Sequence, residues 1–266
     1  TGLAGTTANL ESTTIAADAA AWRSAAEVLR ERTYATEDGV VRVRVDWDAL
    51  VMRDWSEEHP VPFEVQVDDE RTDADAGDAA SFVSLFFCDA FLLLNLAVPG
   101  SFGGVLTTLS GGGHRPAEIT LSSRMFEYAW ATASRNGGPV IEPLPLGDVL
   151  RWYDALQIGT QQVATTGVVK ALFLLLHLAR GEEDESLSIL RLGQALEAMA
   201  VEKSASLDSF FELRNAIAHG TAPVLHPLAD NSLDPRVDEE SLALVNASDF
   251  ASSVIVSALQ ARIREL

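Results

Sequence analysis

Three side chains near the end of one stretch have the types and spacing to do chemistry together. Arg214, Asn215 and His219 fall in LDSFFELRNAIAHG, residues 207–220, as Arg-Asn-x-x-x-His. A guanidinium stays charged at ordinary pH and presents a planar fork of donors that clamps a phosphate. An imidazole moves a proton near neutral pH. The amide between them can orient either one by hydrogen bonding. The triplet could therefore hold an anionic ester and transfer a proton on it. The same residues also suit a plain helix end, where histidine favours the helix dipole and arginine bonds terminal carbonyls.

Other groups with chemical potential read as structural. Cys88 is the single cysteine, which excludes an internal disulfide framework and a cysteine-based zinc site. It lies in SFVSLFFCDAFLLL and reads as a small buried hydrophobe. His114 follows three glycines and has no second ligand at metal spacing, so it reads as a surface residue. In DDERTDADAGD, residues 68–78, Asp73, Asp75 and Gly77 lack the glycine placement and the closing glutamate of an EF-hand. That stretch reads as a solvated acidic loop. Gly100, Gly103 and Gly104 lack the Lys-Ser/Thr of a phosphate loop and read as a turn. No cofactor and no metal are expected.

The elements that must position the triplet follow from periodicity. Leu207, Phe210, Phe211, Leu213 and Ile217 recur near helical spacing, and Gly220 stands where a helix C-cap residue would. Helical patterning runs from Asp148 onward. Asp148 is expected to cap VLRWY, leading towards an apolar helix through VVKALFLLLHLAR, in which Lys170 and His177 are the few polar positions. Gly181 and the acids 182–185 make a turn. A helix with Leu187, Leu190, Gln194, Glu197 and Met199 comes next, then the triplet's helix, a proline-containing loop, and a last helix from about Glu240 to Arg264. Four long helices with short-to-medium turns indicate a bundle.

The first part of the chain is mixed. A helix is expected from Asp18 to about Arg32. Val41 to Trp47 alternates as a half-buried strand, and Phe63, Val65 and Val67 repeat the alternation, so the two are expected to pair as an antiparallel hairpin. A short strand is expected over Glu118 to Leu121. Ser122 or Ser123 should cap a helix in which Met125, Phe126, Ala129, Trp130 and Ala133 share a face. The segment PVIEPLPLG holds three prolines and reads as an extended linker. The expected fold is α+β, mostly α: a C-terminal four-helix-type bundle over 148–266, preceded by a smaller mixed α/β region over 1–147 with an antiparallel hairpin.

Length and charge bound the function. The chain has 266 residues, 39 acidic and 19 basic, for a net charge of −20, with 47% hydrophobic content. That content supports a sizeable core. Up to residue 147 there are 22 acids and 10 bases, and beyond it 17 and 9, so neither part is a basic nucleic-acid platform. Contact with RNA would have to be local. Ala79 to Val98 is long and apolar enough to cross a membrane, but Asp89 at its middle is costly in lipid, so it reads as a core helix. Without a visible targeting motif, a cytoplasmic location and no membrane partner are expected.

Residues 148 to 264 resemble the HEPN (higher eukaryotes and prokaryotes nucleotide-binding) domain. The match lies in Leu213-Arg214-Asn215-Ala216-Ile217-Ala218-His219-Gly220, at the end of a helix that follows two others, and in LGQALEAMA of the preceding helix, where Glu197 matches an acid found in many relatives. Many members of that family are metal-independent ribonucleases of toxin–antitoxin or antiphage systems. Others act as nucleotide-binding, protein-binding or scaffold modules. The resemblance implies that Arg214 holds the scissile phosphate, that His219 is the general base or acid, that Asn215 orients one of them, and that Glu197 supports the site. On an ideal helix Arg214 and His219 stand about 140° apart in azimuth and about 7.5 Å apart in rise. The resemblance answers this with a homodimer, in which two motifs face each other across a two-fold axis. It also implies RNA or a nucleotide as ligand and an antitoxin or regulator as partner. Thr221 stands where family toxins silenced by a nucleotidyltransferase carry a tyrosine.

Overall fold

The computed structural model describes residues 27–47, 65–71, 76–102, 105–109, 117–135, 138–181, 185–202, 204–226, 228, 230 and 232–266. The fold is α+β and mostly α. Two compact units share the chain. The first comprises Thr1–Ser123 and Pro143–Gln162, the second Arg124–Glu142 and Val163–Leu266.

The first unit is built on an antiparallel sheet of strand order β1-β2-β3, with β1 at Glu31–Thr36, β2 at Gly39–Val45 and β3 at Val65–Asp69. Successive strand side chains point to opposite faces. Val41, Val43 and Val45 of β2 are accordingly buried, while Arg42 and Arg44 emerge on the other face. Those arginines pair with acids across the sheet, Arg42 with Glu70 and Arg44 with Glu31 and Asp68. The expected hairpin is present between β2 and β3, with Val43 opposite Val67 and Val45 opposite Val65. Phe63 and Glu64 lie outside the described residues.

Two expectations are corrected here. Glu31 and Arg32 belong to a strand, not to a helix tail, and β1 pairs with β2 across a two-residue turn at Glu37-Asp38. Gly39 opens β2 at φ +150, a conformation that suits a residue without Cβ. The stretch from Asp68 is not wholly a loop either. Asp68 and Asp69 end β3, and Asp69 binds Arg71 at 2.6 Å. The expected helix start at Asp18, with Asp73, Asp75 and His114, lies outside the described residues.

Helix α1, Ala76–Ala97, packs on β2 and β3. Phe86, Phe91, Leu92, Leu93 and Leu96 are buried, and the rings of Phe86 and Phe87 lie 6.1 and 6.2 Å from that of Trp47. Asn95 closes the turn after α1: its Nδ2 donates to the carbonyls of Phe91 and Phe102, and its Oδ1 accepts from Gly100 N. Strands β4, Val105–Leu109, and β5, Ala117–Leu121, form a second hairpin. Only β5 was expected. Helix α2 spans Arg124–Ala133 and helix α3 spans Leu146–Ala155. α3 packs on α1. Pro145 occupies its N-cap, and Asp148 lies in the first turn rather than at the cap.

The second unit is helical. It contains α2, α4 at Gly167–Ala179, α5 at Glu185–Ala198, α6 at Ala205–Ala218 and α7 at Arg236–Arg264. α5 is central, with α4, α6 and α7 all packed against it, and α7 also packs on α2. Instead of one cut at residue 147, the units take alternating segments. The extended linker explains this. Gln260 on α7 binds both the N–H and the carbonyl of Glu142, whereas Leu144 N donates to Ala97 O in the first unit. The expected run from Asp148 into the apolar helix is also broken, because Gln157 and Gly159 adopt positive φ. α4 starts afresh with Thr166 as its N-cap.

Candidate functional site

α6 begins at Ser204, whose hydroxyl accepts from Leu207 N at 3.4 Å. Leu207 and Phe210 are buried, while Phe211, Leu213 and Ile217 are half-buried. The C-terminus is a Schellman motif. Gly220 N donates to Ile217 O at 3.1 Å, and Thr221 N donates to Ala216 O at 2.8 Å. Gly220 takes φ +68, a left-handed conformation that suits a residue without Cβ. His219 is the C-cap itself, and it is exposed.

Arg214 sits one and a half turns back. Its Nη2 donates to Glu197 Oε2 at 3.2 Å and its Nη1 to Asn215 Oδ1 at 3.0 Å. Its Nε is buried without a hydrogen-bond partner. The Arg214 side chain is 23% exposed and that of Glu197 53%. So exposed an ion pair is worth about 0–1 kcal/mol, enough to orient a side chain but little for stability. The structure thus brings Arg214, Asn215 and Glu197 together. His219 stands five residues on from Arg214, at the helix end. Asp208 and Glu212, the other acids of α6, are exposed.

A second polar cluster was not foreseen as a cluster. Asp89, in the middle of α1, has a side chain only 8% exposed. Tyr153 OH donates to its Oδ1 at 2.7 Å and Tyr34 OH to its Oδ2 at 2.9 Å. Arg32 Nε lies 3.0 Å from Oδ2, an ion pair in which the N–H is not aligned as a hydrogen bond. Arg32 also donates to Asp154 at 3.1 Å and lies 5.4 Å over the Tyr153 ring. Burial pushes both phenols well above their usual range, and the Asp89 charge adds to this, so they remain donors. Burial also raises Asp89, against the pull of Arg32 and the two phenols. For Arg32, burial works against the charge, but the opposing acids outweigh it and its pKa rises. The sequence signal was the lone acid in an apolar run.

Cys88 is half-buried on α1. Lys170 and His177 are exposed on α4. Among the described residues, no group of three or more His, Cys, Asp or Glu side chains gathers as a metal site. Comparison with known proteins finds no matching family model, no matching curated protein and no matching solved structure.

Proposed function

We propose that this chain is a ribonuclease of the HEPN type, acting as a homodimer without a metal ion, in a toxin or antiphage-defence role. The observation that carries the reading is the division of labour at the end of α6. A guanidinium is held near the surface by Glu197 and Asn215, while an exposed imidazole stands at the helix terminus. In a dimer, two such ends would supply the anion clamp and the proton carriers that one end separates.

In the proposed reaction, His219 of one copy takes the proton from the ribose 2′-OH. The 2′-oxygen bonds to phosphorus and the P–O5′ bond breaks. The second copy's imidazole gives its proton to the leaving 5′-oxygen. Arg214 stabilises the charge that builds on the phosphoryl oxygens. RNA would exchange places with Glu197 as the partner of Arg214. The net charge of −20 confines RNA contact to this site. An antitoxin or other regulator would act by covering it.

The second reading is a non-catalytic module that binds a nucleotide or a protein. The observation in its favour is that Arg214 already has a carboxylate partner. The deciding experiment is cleavage of a mixed RNA pool in EDTA by wild type, His219→Ala and Arg214→Ala. Cleavage that survives chelation and disappears in both variants supports the ribonuclease. No cleavage by a verified dimer favours the binding module. Cleavage unchanged in the variants removes this motif from the reaction.

A further inference from the structure

Arg214 reaches its partners across a gap in the neighbouring helix. Gly193 lies inside α5 and is buried. A Cβ built on it would come within 3.1 Å of both Cγ and Nε of Arg214 and within 3.5 Å of Cδ. Contacts near 3.1 Å force the neighbour to give way. Glycine is a poor residue for a helix interior, because it surrenders the most backbone freedom on folding and covers nothing. α5 nevertheless carries one where the arginine stem crosses it.

Glu197 follows Gly193 by four residues, so both face the same side of α5. The stem of Arg214 lies over Gly193, and its guanidinium then meets Glu197 through Nη2 and Asn215 through Nη1. The Nε above Gly193 has no partner and is shielded from water. Shape rather than a hydrogen bond therefore places that part of the side chain.

We infer that Gly193 is a positioning residue: the missing side chain is a seat for the Arg214 stem, and Glu197, one turn on, aims the guanidinium. Its catalytic meaning rests on the proposed reading of Arg214 as the phosphate clamp, whereas the seat itself does not. An alanine at position 193 would shift the Arg214 stem by a few tenths of an ångström. Displacement of a clamp by about 1 Å is enough to cost about 100-fold in rate.

The test is a double-mutant cycle in the full chain: wild type, Gly193→Ala, Arg214→Ala and the double variant, each followed by thermal unfolding and by RNA cleavage in EDTA. Without the arginine stem, Gly193→Ala gains helix propensity freely and raises Tm by about 2–4 °C. With the stem present, the rise is smaller or absent. Equal Tm shifts in the two backgrounds would overturn the seat. In cleavage, Gly193→Ala lowers kcat by about 3- to 10-fold, with a smaller change in KM. A wild-type rate in Gly193→Ala, with the cycle coupled, would overturn the positioning role. If the cycle is coupled and wild type cleaves nothing, the seat stands and the ribonuclease reading falls.

Discussion

Asp89 and Arg214 each anchor a polar cluster, one in each unit, and they are satisfied to very different degrees. The Asp89 carboxylate, 8% exposed, accepts from two phenols and lies against a guanidinium. Arg214, 23% exposed, is held by one half-exposed carboxylate and one amide and keeps an unpartnered N–H. The first arrangement suits a structural joint. It ties α1, β1 and α3 together, and its partners have no reason to leave. The second suits a side chain that changes partners. A weak surface pair can give way to a phosphate, whereas a buried network cannot open without leaving charges bare. Local disregard for full hydrogen bonding is common at functional sites.

The comparison breaks or sharpens by mutation. The largest stability effect belongs to Asp89→Ala, which strands Arg32 and two phenols. It should cost about 3–5 kcal/mol in urea denaturation. A loss below about 1 kcal/mol would erase the difference between the clusters. Next is Tyr153→Phe, which removes one donor from a buried carboxylate and should cost about 1.5–3 kcal/mol by the same measurement.

Ser252 on α7 offers a control for the cost of an unsatisfied group. Its hydroxyl is buried with no partner. Ser252→Ala should therefore stabilise the protein by about 1 kcal/mol, read as a higher denaturation midpoint. A destabilised variant would show that an unpartnered polar atom is no guide to strain in this chain, and would weaken the contrast drawn at Arg214. The smallest stability effect is assigned to Arg214→Ala, below about 1 kcal/mol. On the proposed ribonuclease reading, its large effect is the loss of RNA cleavage. A stability loss matching that of Asp89→Ala would make Arg214 a structural residue.

Elements with a period were legible in the sequence. The alternation of Val41, Val43 and Val45 with Arg42 and Arg44 marked a one-sided strand, because strand geometry sends neighbours to opposite faces. A second alternating stretch supplied its partner. The stripe of Leu207, Phe210 and Ile217 marked α6, and Gly220 marked its end. β1 was missed because the helical stripe of Ala26, Val28 and Leu29 runs up to it. The break between α3 and α4 was missed although the stretch between them, LQIGTQQVATT, is mostly polar and holds Gly159, which with Gln157 takes the left-handed conformation that ends the run.

By itself, the sequence determined which residues share a helix and therefore that ideal geometry sets Arg214 and His219 about 140° apart around α6. That follows from backbone geometry within a few residues. It could not determine who meets whom across the fold. Asp89 finds Tyr34 and Tyr153 at 55 and 64 residues' distance, and Arg214 finds Glu197 at 17. Gly193 looked like any helix glycine until Arg214 lay over it. Such pairings depend on which surfaces the packing removes from water, since a polar group needs a partner only once it is buried, and only the tertiary structure decides that.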